Sequence, residues 1–147
     1  MAALLLPVLC PGQISGYLTA DNPPRLFAKR GGVVVSKLRF RLRPGYHVNS
    51  NAPKDPSLIP LRLTWDAGMA KTVSLEFPPP VMERYAFSEQ PLSVYTENIV
   101  ITSRLQLNSN APTGSQALLA KLRYQACNNT TCFPPKTVEV KQPIEIR

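Results

Sequence analysis

Two cysteines, Cys127 and Cys132, combine reactive side chains with a spacing that brings them together. Between them lie only Asn128, Asn129, Thr130 and Thr131. Asn tolerates left-handed backbone angles and Thr hydroxyls bond nearby main chain, so this stretch predicts a hairpin tip. Before it, Leu118, Ala120, Leu122, Tyr124 and Ala126 alternate with Leu119, Lys121, Arg123 and Gln125, the period of a half-buried strand. After it, Val138 and Val140 alternate with Thr137 and Glu139. The cysteines therefore face each other at the ends of two antiparallel strands. Cross-strand Cα separations of about 4.5 to 5.5 Å suit a disulfide, so a bridge closes without moving the backbone.

Spacing leaves two chemical meanings open. As a staple the bridge is poor, because its loop is far shorter than the 15-residue loop for which chain entropy gives roughly 3 kcal/mol. As a redox pair it would cycle between dithiol and disulfide, and a surface tip lets a partner thiolate attack in line. His47 is the only histidine. It could assist a thiol, although a lone histidine is more often hydrogen-bonded scaffold. The chain has no phosphate-cradling glycine loop, no zinc-spaced His and Cys cluster and no internal repeat, so neither a cofactor nor a metal is expected.

The elements that must position these residues read as all-β. At 147 residues the chain is one domain by length, large enough for a real core. Sixteen prolines and seven glycines punctuate short runs rich in Val, Leu and Ile, and no long helical period appears. An extended arm leads to a short strand at Leu26 to Ala28, Gly31-Gly32 turns, and Val33 to Arg43 is the clearest strand, stopped by Pro44-Gly45. Ile59, Leu61, Leu63 and Trp65 share one face of the next, with Trp65 a core residue, and Val73, Leu75 and Phe77 belong to another. From Pro78-Pro79-Pro80 to about Pro91 the chain is irregular, and loops of that length are often functional or mobile. Leu92 to Leu107 and the stretch near Pro143 to Arg147 complete the set. Roughly seven to nine short strands fit an immunoglobulin-like antiparallel β-sandwich, with a closed barrel as the alternative.

Lys and Arg outnumber Asp and Glu by 17 to 9, a net charge of +8. Nucleic acid is nevertheless not the expected partner: Lys37, Arg39, Arg41 and Arg43 alternate with Leu38, Phe40 and Leu42 as one solvated face, and no stacked-aromatic pattern accompanies them. Ala2 to Leu9 is a short apolar run broken by Pro7, too short to span a bilayer but similar to the hydrophobic part of a signal peptide. We read residues 1–12 as a signal-peptide remnant and 13–147 as the domain. If the leader is removed, Cys10 goes with it and an even pair remains, which favours an oxidising compartment.

Several segments together resemble the N-terminal periplasmic domain of the thiol:disulfide interchange protein DsbD, the disulfide bond corrector family. They are Gly45-Tyr46-His47-Val48-Asn49-Ser50-Asn51, Leu58-Ile59-Pro60-Leu61, Phe77-Pro78 with the loop to Val94-Tyr95, and most specifically Tyr124-Gln125-Ala126-Cys127 with Cys132-Phe133-Pro134-Pro135. The resemblance implies an immunoglobulin-type sandwich acting as a periplasmic thiol-disulfide relay, a protein-disulfide reductase domain without metal or organic cofactor. It implies that Cys127 and Cys132 are the redox pair, with Cys132 forming the mixed disulfide. A cap loop bearing an aromatic residue would shield them; Phe87 is the choice, with Tyr85 beside it and Glu83 or Glu89 as cap acids. Tyr46 and His47 are supporting candidates. The implied partners are thioredoxin-like periplasmic proteins and a membrane or thioredoxin-like electron donor. The domain itself is expected to be a monomer that meets the membrane only through an adjoining domain or a partner. No membrane or thioredoxin-like domain follows Arg147, so the chain is expected to be an excised domain or a stand-alone relative. The competing reading is a secreted immunoglobulin-like binding or structural domain with an inert disulfide.

Overall fold

The computed structural model describes residues 16–147; the expected leader and Cys10 lie outside the described residues. Twelve strands and no helix make up the described chain. In order they are β1 (Leu18–Ala20), β2 (Leu26–Ala28), β3 (Val33–Leu42), β4 (His47–Asn49), β5 (Arg62–Trp65), β6 (Ala70–Glu76), β7 (Val81–Glu83), β8 (Leu92–Tyr95), β9 (Ile99–Leu107), β10 (Gly114–Tyr124), β11 (Ala126–Cys127) and β12 (Lys136–Ile146).

Period-2 alternation produces the two large sheets. Along β3, Val34, Ser36, Leu38 and Phe40 are buried while Val33, Val35, Lys37, Arg39 and Arg41 are exposed, so the basic stripe is the solvated face that the alternation predicts. One sheet has the order β1-β3-β9-β6 and the other β2-β12-β10-β5. All pairings in them are antiparallel except β2 with β12. Leu38, Phe40, Ile99 and Ile101 from the first sheet meet Leu63, Ala120, Leu122 and Val140 from the second in one apolar cluster. This is an immunoglobulin-like sandwich, packed face to face.

A polar layer separates that cluster from a second one built on Leu105, Leu107, Leu118 and Ile144. Ser36 Oγ donates to Gln142 Oε1 across the sandwich at 2.7 Å, and Trp65 Nε1 donates to Ser103 Oγ at 2.9 Å. Gln142 Nε2 in turn donates to the carbonyls of Pro24 and Pro143. Ser36, Gln142, Trp65 and Ser103 thus all have partners, which is what makes the layer tolerable in an apolar interior. Trp65 is half-buried, its ring packed against both clusters.

A third sheet, β11-β4-β8-β7, closes one end and carries the cysteine tip. It is made by continuations: β4 follows β3 through the Pro44-Gly45 turn, β8 precedes β9, and β11 extends β10 past Gln125. Gly45 has φ of 85°, a left-handed angle that glycine adopts without a Cβ penalty. The segment expected to be irregular contains β7, whose Val81, Met82 and Glu83 are all exposed. An edge strand with neither face buried has no period to display, which is why alternation does not reveal it.

Candidate functional site

Cys127 and Cys132 form a disulfide, with Cα atoms 4.0 Å apart across an isolated antiparallel bridge. The tip between them is organised by Asn128. Its Oδ1 accepts from Thr131 N at 2.7 Å, Thr130 N at 3.0 Å and Thr130 Oγ1 at 3.2 Å. Asn128 N donates to Thr131 O, and Phe133 N donates back to Ala126 O. The small polar residues therefore do what their types predict, replacing strand pairing with local side-chain bonds.

The two sulfurs sit in different surroundings. Cys127 is 0% exposed, whereas Cys132 is only half-buried. Ala126 pairs with Val48, and both turn toward the main apolar cluster. The alternation then puts Cys127 and its cross-strand partner His47 on the opposite face. Cys132, Cys127 and His47 consequently form one row across three neighbouring segments.

Aromatic rings cover the His47 end of this row. Tyr85 stacks on the His47 ring with centroids 3.9 Å apart and 13° between planes, and Phe87 lies beside this pair, nearly parallel to both, 5.5 Å from Tyr85 and 6.3 Å from His47. Phe87 is 38% exposed. Burial pushes the Tyr85 hydroxyl up to about 12, with the charge of Glu83 adding to the effect, so the ring stays neutral. A second group of rings is built on Phe133, the residue after Cys132, which by strand alternation faces away from the row: Phe133 stacks on Tyr17 at 4.7 Å, and Tyr46 lies 4.5 Å from Tyr17. Lys136 Nζ and the Arg43 guanidinium both approach the Tyr17 face, at 5.4 and 5.9 Å, within cation–π range.

All the candidate residues except Glu89 are thus close to the row or to the rings around it: Tyr85, Phe87 and Glu83 from the cap segment, Tyr46 and His47 from the Gly45 turn onward. Glu89 instead lines a cleft of about 620 Å³ with Lys54, Asp55, Met82 and Phe87, and neither cysteine reaches it. Sequence reasoning missed Tyr17, Lys136 and Arg43. The arm that carries Tyr17 has no periodic signal, and only tertiary pairing of β1 with β3 brings it here. It also quoted Tyr124 and Gln125 without giving them work. The Tyr124 hydroxyl takes backbone hydrogen bonds from Tyr17 and Leu18. Gln125 Oε1 accepts from Asn49 Nδ2 at 3.1 Å and from Ile59 N at 3.4 Å, bracing the bend between β10 and β11.

The stack implies which ring shields the row. Tyr85→Ala is expected to speed reduction of the disulfide by a small thiol roughly tenfold, because an aromatic pair contributes about 0.5–1.5 kcal/mol and 1.4 kcal/mol is a factor of ten. Phe87→Ala, which removes the more exposed ring and the one farther from His47, should do less. Stopped-time alkylation of released thiols measures both. A Tyr85→Ala rate equal to the parent's would remove Tyr85 as a shield.

No curated protein matches the chain. Among solved structures, the N-terminal periplasmic domain of ScsB from Proteus mirabilis superposes with a TM-score of 0.52 at 17% identity, covering 86% of this chain and 46% of that one. The chain therefore spans less than half of that structure, and the likeness is one of fold. The reduced N-terminal domain of DsbD from Neisseria meningitidis gives a TM-score of 0.49 at 18% identity, covering 72% of this chain and 74% of that one. The family model described as the N-terminal part of the thiol:disulfide interchange protein DsbD matches residues 18–143. That match takes in every strand from β1 to β11, most of β12, both cysteines and the cap segment, and the chain belongs to the DsbD N-terminal domain family.

Proposed function

We propose that this domain is a periplasmic thiol-disulfide relay module that passes electrons to oxidised, thioredoxin-like partner proteins. The observation that carries the reading is the Cys127–Cys132 disulfide at a hairpin tip, with one sulfur buried and the other half-exposed, in a chain of this family. The domain is residues 13–147, and residues 1–12 are a leader remnant. In the forward direction the Cys132 thiolate attacks the partner's disulfide, forming a mixed disulfide and releasing one partner thiolate. Cys127 then attacks the Cys132 sulfur, closing the internal bridge and releasing the second partner thiolate. Two electrons reach the partner, and a membrane or thioredoxin-like donor restores the dithiol. Tyr85 and Phe87 act as the cap, with Glu83 beside them.

The half-exposed sulfur at a short tip supports an exchangeable couple. Its reduction potential is expected to lie above the roughly −300 mV below which structural disulfides usually fall. Equilibration against glutathione or thioredoxin, with the thiols counted after alkylation, measures it. A bridge that stays oxidised throughout that range would leave the inert immunoglobulin-like domain as the better reading.

A further inference from the structure

Two side-chain polar atoms among the described residues are buried without a hydrogen-bond partner, His47 Nε2 and Asn49 Oδ1. Both belong to β4 and, two residues apart, point to the same face. An orphaned buried polar atom is costly, so its persistence at a reactive site calls for a partner in another state of the molecule. For His47 that state is the dithiol. In the disulfide, Cys127 Sγ carries no proton; in the reduced protein it carries an S–H, directly across the strand pair from His47 and on the same face. Paired residues hold their Cβ atoms about 4.5–5.5 Å apart, a gap that a thiol and an imidazole bridge between them.

We propose that His47 is the proton acceptor of Cys127 in the closing half of the relay, an assignment that rests on the relay reading above. Cys127 must attack as a thiolate, yet it is 0% exposed, and an apolar setting raises a thiol's pKa and suppresses the reactive form. As the Cys127 sulfur bonds to the Cys132 sulfur, its proton passes to His47 Nε2. The bond between Cys132 and the partner breaks, and the partner sulfur leaves with the electron pair. That thiolate is then neutralised by the proton held on His47. One disulfide forms and one is cleaved, so no further oxidant or reductant is required. Nε2 itself is buried, so bulk water does not compete for it. Burial depresses the protonation of His47, which keeps Nε2 free to accept. A Cys127 thiolate beside the imidazolium favours the charged form and offsets that depression in the closing step.

The test follows the two chemical steps separately. Reduced protein is mixed with excess glutathione disulfide, quenched with acid at intervals and weighed by mass spectrometry, which distinguishes dithiol, mixed disulfide and internal disulfide. His47→Phe keeps a ring under Tyr85 and removes both nitrogens; His47→Gln keeps hydrogen-bonding capacity but cannot take up a proton. Both are expected to slow the second step roughly tenfold or more, since an ordinary thiol with pKa near 8.5 is only about 3% thiolate at pH 7, and to leave the first step within about twofold. Either folded variant suffices. Second steps as fast as the parent's in the folded variants overturn the assignment and leave the relay standing, and equal slowing of both steps overturns it as a merely structural effect. Parent protein that never forms the internal disulfide would instead sink the relay reading.

Discussion

Cys127→Ala is expected to accumulate a covalent complex with a thioredoxin-like partner on a non-reducing gel, and Cys132→Ala to accumulate at least about tenfold less, because access governs which sulfur is attacked. A relay needs one sulfur to meet the partner and another to resolve the mixed disulfide, so deleting the resolving thiol freezes the intermediate. The surroundings assign the roles. Cys127 is 0% exposed and lies between Cys132 and His47. Cys132 is half-buried and is followed by Phe133 and the exposed Pro134 and Pro135, which leave its side of the tip open. Phe133, next in the chain, stacks on Tyr17, whose ring Arg43 and Lys136 approach. Equal trapping by both variants would overturn the assignment of roles while sparing the redox function. No trapping by either variant, with partners present, would count against the relay.

What the sequence revealed and what it hid divide along physical lines. The alternation in β3 and β10 was legible because each strand buries one face, and burial imposes a period on a single stretch of chain. The tip was legible because Asn and Thr carry their turn chemistry within a few residues. The Ser36–Gln142 tie was not, since its two partners lie on strands from different sheets and each alone looks like an interruption of an apolar face. The cap was half legible. Tyr85 and Phe87 stood out as aromatics in a segment without period, but which of them lies directly on His47 depends on how that segment folds. As a lone histidine, His47 reads more readily as hydrogen-bonded scaffold than as a thiol's helper. Only the pairing with Cys127 and the orphaned Nε2 give it a chemical context, and neither is written in local sequence.

Acid is expected to weaken the fold through His47 between about pH 6.5 and pH 4. Burial pushes the imidazole down to about 4 from its ordinary 6.5, and the residue is only 2% exposed. Above pH 6.5 neither the folded nor the unfolded chain protonates it, and stability is at its full value. As the pH falls through 6.5 the unfolded chain binds a proton that the folded chain refuses, so unfolding is favoured progressively until the folded value is reached. At about 1.36 kcal/mol per pH unit, the loss approaches roughly 2 to 3 kcal/mol by pH 4.5, a large share of the roughly 5–15 kcal/mol typical of a domain. Asp21 and Asp55 do not imitate this window. The hydrogen bond from Arg41 holds Asp21 below the usual carboxylate range, and the backbone of Ser57 does the same for Asp55, so their contributions fade only at lower pH. Urea denaturation at pH 7.5 and pH 4.5 measures the effect, with an unchanged m-value showing that the same surface unfolds. His47→Phe, which has nothing to protonate there, should lose about 2 kcal/mol less than the parent between the two conditions. Equal losses would mean that the folded protein protonates His47 without penalty, and therefore that the ring under Tyr85 reaches water far more readily than its burial implies.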